Sequence, residues 1–277
     1  MRMLGSAAIL MVALRPALPR GDIVRLLVFG IVGLALVQYT YFAAIALMGA
    51  ALATFVQYLC LPMIALWEGV VGTERLGPRT YAAVALAMAG TTLILLASPH
   101  VATSLRVSPL GLAMGLASAT SAAFYTLYSV HIVERIGASR ATAWGFLFGG
   151  LAMAVLAPPW AAQPTGSAIT VVLLVLFVIT LGTLVPFSIY LASLRWITAT
   201  EAGTAVTIEP GSAALATAVL LGSALTPLQY GGGAAILAAV LLVRAAGGRA
   251  ASAVIEPPGG AAVDNGVSRR ASKWKRR

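Results

Sequence analysis

Charge is what this sequence has least of. Only 9% of its 277 residues are Asp, Glu, Lys or Arg, against 60% hydrophobic, and that balance excludes an ordinary soluble domain, in which about a quarter of residues are charged. Cysteine occurs once, at Cys60 inside an apolar run. A lone thiol excludes a disulfide framework and a cysteine-based metal site. Two histidines are present, His100 and His131, and neither has a partner at metal-ligand spacing, so no metal and no cofactor is expected. The sequence contains no His-Glu-x-x-His, no Gly-x-Ser-x-Gly and no closely spaced acids, which leaves an intramembrane enzyme without its chemistry. It also lacks a nucleotide-binding loop, so direct ATP coupling is not expected.

What is abundant is the long apolar run. Full-length candidates for membrane crossing lie at about Ile23 to Met48, Ala51 to Gly72, Tyr81 to Ala97, Leu110 to Val133, Ala141 to Leu156, Ser167 to Leu194, Gly203 to Leu221 and Tyr230 to Val243. Met3 to Leu14 is shorter: about a dozen residues make roughly 18 Å of helix against a hydrocarbon core of about 30 Å. No small-residue cleavage site separates it from Arg15, Pro16 and Arg20, so a cleavable signal peptide is the weaker reading. Short connections holding Pro and Gly join the runs. After residue 245 the chain turns to Ala, Gly, Pro and Ser and ends Ser-Arg-Arg-Ala-Ser-Lys-Trp-Lys-Arg-Arg, a composition expected to be disordered.

The formal charge of +10 suggests nucleic acid until the basic residues are located. They sit between apolar runs and in the tail. With the loop from Arg15 to Arg25 in the cytoplasm, alternation puts Arg75, Arg79, Arg135, Arg140, Arg195, Arg244 and the tail on that same side, leaving Arg2 and Arg106 outside. The positive-inside rule then predicts a cytoplasmic C-terminus.

The chain also repeats itself. At an offset of 149 (190 − 41), Gly33, Tyr41, Ala43, Leu76, Pro78 and Tyr81 match Gly182, Tyr190, Ala192, Leu225, Pro227 and Tyr230, and Pro62 matches Pro210 with a one-residue slip. In the topology above Pro78 lies inside and Pro227 outside, so the halves are inverted with respect to the membrane, a recurrent plan of secondary transporters. The stub Arg2 to Pro16 resembles Gly145 to Pro159, which leaves the run Leu110 to Val133 without a partner in the first half. The natural reading frame is therefore expected to extend upstream of Met1 by about 35 residues.

Three motifs resemble the EamA-type family of the drug/metabolite transporter (DMT) superfamily. Gly72-Thr73-Glu74-Arg75-Leu76-Gly77-Pro78 followed by Tyr81 to Leu95 is similar to the family's Gly-Glu-x-Leu turn and the last helix of its repeat. Ile208-Glu209-Pro210 is similar to the Glu-Pro of its ninth helix, and Tyr190-Leu191-Ala192-Ser193-Leu194-Arg195 to its helix-end pattern. The resemblance implies an all-α polytopic membrane protein of two inverted five-helix repeats, a ten-helix plan whose first helix is missing here. The units expected are residues 1–97 and 108–245 as the two repeats, and 246–277 as a basic cytoplasmic tail.

Candidate site residues follow from polar groups in apolar runs. An ionised Glu209 inside hydrocarbon costs on the order of 3 kcal/mol, so it is either a proton-coupling or substrate-binding group or a structural acid bonded to backbone freed by Pro210. Gln57 and Tyr58 lie deep enough to wall a cavity. Ser118, Ser121, Tyr125 and Ser129 recur every three to four positions and read equally as a cavity lining or as interhelical hydrogen bonding; Tyr190 joins them through the repeat. Glu68 shares a face with Thr54, Gln57 and Leu61 but lies near the cytoplasmic end, where a solvated or Arg75-paired carboxylate is expected. Gly111 with Gly115, and Gly145 with Gly149, read as packing pairs.

The function expected is a secondary carrier of a small metabolite across the cytoplasmic membrane. The rivals are a non-transporting or inactive membrane partner and an intramembrane enzyme. Expected partners are a small-molecule substrate, the bilayer, anionic lipids for the basic tail and a second copy of the chain as a homodimer, with no nucleic acid.

Overall fold

Proline and hydroxyl side chains set where the helices begin. In the computed structural model, which describes residues 2–71, 76–97, 108–158, 166–221 and 226–255, these residues form ten helices. They are α1 (Arg2–Leu14), α2 (Arg20–Met48), α3 (Ala50–Val70), α4 (Pro78–Leu96), α5 (Pro109–Ile136), α6 (Ala138–Leu156), α7 (Ala168–Ser193), α8 (Ala199–Val206), α9 (Ile208–Leu221) and α10 (Pro227–Ile255). Among the described residues there is no strand, and seven helices, α2 to α7 and the Pro227–Ala245 part of α10, are long and apolar enough to cross a membrane. The chain is an all-helical, multi-pass membrane protein.

Pro78, Pro109 and Pro227 occupy the first turn of α4, α5 and α10, where a missing N–H costs nothing and a fixed φ favours the helix. Expected starts at Tyr81, Leu110 and Tyr230 therefore come up to a turn late. Ser108 and Ser167 accept hydrogen bonds at 3.3 Å from the amides of Gly111 and Thr170, the usual N-cap arrangement. Gly49 and Gly137, with φ of 84° and 85°, serve as one-residue connectors in a region that L side chains rarely adopt. At its far end α10 continues to Ile255, past the expected boundary at 245; the Ala-rich stretch there favours helix. The rest of the tail, His100 and the Gly72 to Arg75 part of the turn motif lie outside the described residues.

Irregularities recur at the spacing of the sequence repeat. A π-helical segment occupies Phe29–Ala35 in α2 and another Thr180–Leu184 in α7, with Gly33 and Gly182 at the offset of 149 (182 − 33). α3 is interrupted at Tyr58 and Leu59, between the segments Ala50–Gln57 and Cys60–Val70. The counterpart of Tyr58 is Thr207 (207 − 58 = 149), which separates α8 from α9. Each break precedes a proline: Pro62 and Pro210 cannot donate to the carbonyls four residues back, those of Tyr58 and Val206, and their rings crowd them. The chain tightens there, with Leu59 N to Val56 O at 3.1 Å and Thr207 N to Thr204 O at 3.2 Å. The continuous helix expected from Gly203 to Leu221 is thus corrected. It starts a turn earlier, at Ala199, and is broken at Thr207.

α4 and α10 pack face to face through glycine. A Cβ on Gly90 would lie 2.7 Å from the Gly232 carbonyl oxygen, and one on Gly232 2.6 Å from that of Gly90. Ile236 reaches Gly90 while Ile94 reaches Gly232, so later residues of one helix meet earlier residues of the other and the pair runs antiparallel. Gly30 crosses α6 in the same way, against the Gly149 amide at 2.8 Å and the Gly145 carbonyl at 2.9 Å. Gly115 lies against Val56. Small residues let helix backbones approach where lipid offers no hydrophobic drive between helices. The core beside these crossings is aromatic, built on Phe29, Tyr125 and Phe146. The first part of α7, Ala168–Ile179, buries no residue and in a bilayer faces hydrocarbon.

Candidate functional site

The two broken helices meet. α3 and α8 are in such contact that a Cβ on Gly203 would fall 2.9 Å from Leu61 Cδ2 and 3.5 Å from Ile64 Cδ1. Ile64 and Ala199 are fully buried there with Ala123 of α5. At this junction Tyr58, in the first break, is 7% exposed, and the Glu209 carboxylate, just past the second break, lies within interaction range of the Tyr58 hydroxyl. Glu209 itself is exposed and Pro210 half-buried. Two residues 151 positions apart (209 − 58) are therefore brought together by the helix interruptions.

Gln57 is tied into the wall. Its Nε2 donates to Ser118 Oγ at 2.9 Å, and that hydroxyl donates to the Val37 carbonyl at 3.2 Å. The chain joins α3, α5 and α2. On the same side the Tyr41 and Thr54 hydroxyls are hydrogen-bonded at 2.7 Å. Ser118 thus takes the interhelical-bond role among the two open for it.

Tyr125 and Tyr190 form a second group. Their rings stack at 6.0 Å between centroids, and Phe29 stacks on Tyr125 at 5.4 Å. Stacked rings are worth about 0.5–1.5 kcal/mol beyond the area they bury. The Tyr190 hydroxyl is hydrogen-bonded to Thr126 Oγ1 at 2.9 Å. The Tyr125 hydroxyl is buried, with no hydrogen-bond partner of ordinary geometry among the described residues. Ser121 is 5% exposed, and Ser129 donates back to the Tyr125 carbonyl at 2.5 Å. Tyr190 is within electrostatic range of Cys60 and Glu68, which connects this layer to the junction.

Glu68 is neither solvated nor snorkelled. Its Oε1 accepts from the Ala199 amide at 3.0 Å, and its Oε2 from the Thr200 amide at 2.8 Å and Thr200 Oγ1 at 2.5 Å. The first amides of α8 have no partner within the helix and carry the positive end of its dipole, so a carboxylate is drawn there. Thr198 and Glu201 complete the cap: Thr198 N donates to Glu201 Oε2 at 2.9 Å and Glu201 N to Thr198 Oγ1 at 3.1 Å. Thr198-Ala199-Thr200-Glu201 is a capping-box pattern legible in sequence; the contribution of Glu68 is not, because nothing local links it to residues 131 and 132 positions away.

Cationic helix ends gather at one end of the molecule. Asp22 Oδ1 accepts from Arg25 Nη1 at 2.6 Å and from Arg135 Nε at 2.5 Å. This joins the start of α2 to the end of α5 and borders a cleft of about 840 Å³ that includes Tyr128, His131 and Glu134.

A membrane protein of antiparallel helices, two of them broken where polar side chains meet, has the construction of a solute transporter. The chain belongs to the EamA-like transporter family, whose model matches residues 1–96 and 109–245. It is 33% identical over 209 residues to a protein of Salmonella typhimurium described as the uncharacterized inner membrane transporter YicL, across 75% of this chain and 68% of that one. A crystal structure whose description gives no function superposes with a TM-score of 0.72 at 22% identity, over 90% of this chain and 86% of the other; that likeness concerns the fold alone.

Proposed function

We propose that the chain is a secondary carrier that moves a small polar or amphipathic metabolite across the cytoplasmic membrane by alternating access between two inverted halves. The observation that carries this reading is the meeting of the two interrupted helices at Tyr58 and Glu209. Unwound helix segments free backbone groups inside the membrane, where they are tolerated only if protein or a wet cavity satisfies them, and such segments commonly bind substrate or coupling ions. The antiparallel crossing of α4 and α10 at Gly90 and Gly232 and the recurrence of breaks and π segments at one offset support the inversion. Collection of Arg25 and Arg135 at the end that holds Asp22 supports placing that end, with the C-terminus, in the cytoplasm.

In this mechanism Glu209 exchanges a proton or a cationic group of the solute, with Tyr58 as its neutral hydrogen-bonding neighbour. Gln57 and Ser118 hold the wall behind them, and Tyr125, Tyr190 and Ser121 form its inner aromatic side. Counterflow in proteoliposomes tests the reading. Labelled solute should enter faster when the same solute is trapped inside, and a broad metabolite panel that yields no counterflow by purified, folded protein would remove it.

A further inference from the structure

Arg2 is a cation within the apolar body that the carrier mechanism leaves unused. It is half-buried on α1, beside Met3, which packs at 4% exposure into the aromatic core. Its Nη2 donates to Gln38 Oε1 of α2, its Cζ stands 5.8 Å from the centroid of the Phe42 ring, and Tyr41 is within electrostatic range. None of the three carries a formal negative charge. Both ion pairs found among the described residues belong to Asp22, so Arg2 has no carboxylate partner among them.

Its depth is set by α2. Gln38 lies 16 residues beyond Asp22 (38 − 22), about 24 Å along a helix at 1.5 Å per residue, within a hydrocarbon core of about 30 Å. Intramembrane charges are costly and mark substrate or ion pathways. A neutral amide and a ring face offset part of the desolvation of a guanidinium, but they leave its full positive charge. Next to Gln38 is Val37, whose carbonyl ends the Gln57–Ser118 chain, and one turn on is Tyr41, bonded to Thr54. Arg2 thus adjoins the polar path that leads to Tyr58 and Glu209.

We propose that Arg2 is the counter-charge for a carboxylate of the transported solute, with Gln38 and Tyr41 as its neutral partners. The inference rests on the carrier reading. A guanidinium carries five N–H donors, so several remain after Gln38, in a planar fork that matches two carboxylate oxygens.

The test measures melting of the full-length chain in neutral detergent. The probes are benzoate, phenylacetate, succinate and glutarate, their amides, and the corresponding amines, against wild type, Arg2→Gln and Arg2→Lys. The expected result is that at least one carboxylate stabilises wild type while its amide does not. Its affinity should fall about tenfold or more in Arg2→Gln, the loss of one charged hydrogen bond, and recover in part in Arg2→Lys. Should Arg2→Gln fail to fold, Arg2→Lys decides alone, because a lysine lacks the fork and equal affinity then overturns the proposal. It is also overturned if no carboxylate stabilises wild type, if Arg2→Gln is stabilised equally, or if only phosphatidylglycerol gives an Arg2-dependent shift, which assigns the cation to a lipid headgroup. Counterflow separates the two readings. A carboxylate that binds through Arg2 but is not exchanged leaves the anion site and removes the carrier, whereas exchange of a neutral or cationic solute untouched by Arg2→Gln keeps the carrier and removes the anion site.

Discussion

Glu68 and Thr200 bind each other across the two halves of the chain: one carboxylate oxygen accepts both the amide and the hydroxyl of Thr200. The contact fastens the end of the first broken helix to the start of the second. Removing the carboxylate strands the first amides of α8. Glu68→Ala should therefore destabilise the protein by about 1–3 kcal/mol, and Glu68→Gln, which can still accept, by less. Thermal melting in detergent reads the order, and an Ala variant that melts with wild type would show that the cap is dispensable.

Glu209 separates chemistry from scaffold. Glu209→Gln keeps the shape beside Tyr58 and removes ionisation, so flux and its pH dependence should fall sharply at near wild-type folded yield. A structural acid gives the opposite pattern, with Gln working as well as Glu and Glu209→Ala alone lowering yield. Wild-type flux in the Gln variant excludes the coupling role.

Gly90 and Gly232 leave no room for a side chain. Valine at either position drives a Cβ into the opposing carbonyl, with a cost of about 1–3 kcal/mol or more where backbone must shift. Size-exclusion profiles of Gly90→Val and Gly232→Val should show loss of monodisperse protein, while Gly231→Ala, which meets open space, should not.

Tyr190→Phe removes the hydroxyl bonded to Thr126 and keeps the stack on Tyr125. Hydrogen bonds between membrane helices average about 0.6 kcal/mol, so the expected loss of stability is small. Tyr190→Ala loses the stack as well and should melt clearly lower; equal melting of the two would mean that the ring contributes nothing.

A reporter fused after Arg277 should be active on the cytoplasmic side. Activity outside would reverse the topology drawn from Arg15 to Arg25, Arg135 and Arg195.

The helices were legible because hydrocarbon length and apolar runs leave few choices: Ser167 to Leu194 was expected and Ala168–Ser193 is found. The repeat was legible in Gly33 and Gly182, and the break at Thr207 was implied by Pro210, whose missing donor acts four residues upstream. What could not be read were pairings fixed only by packing. Glu68 needed the position of α8, Asp22 needed Arg135 from 113 residues away, and the threonine partner of Tyr190 differs from that of Tyr41 although the tyrosines correspond in the repeat.

Each π segment holds one residue more than an α-helix would need for the same closure. Two such surpluses at one spacing have their simplest history in a single insertion made before the chain doubled. Tyr41 and Tyr190 each follow the matched glycine by eight residues (41 − 33, 190 − 182), so both inherit the phase that this insertion set. Straightening either segment by deleting one residue would turn the helix beyond it by about 100°, swinging that tyrosine away from its threonine and leaving the other half unchanged.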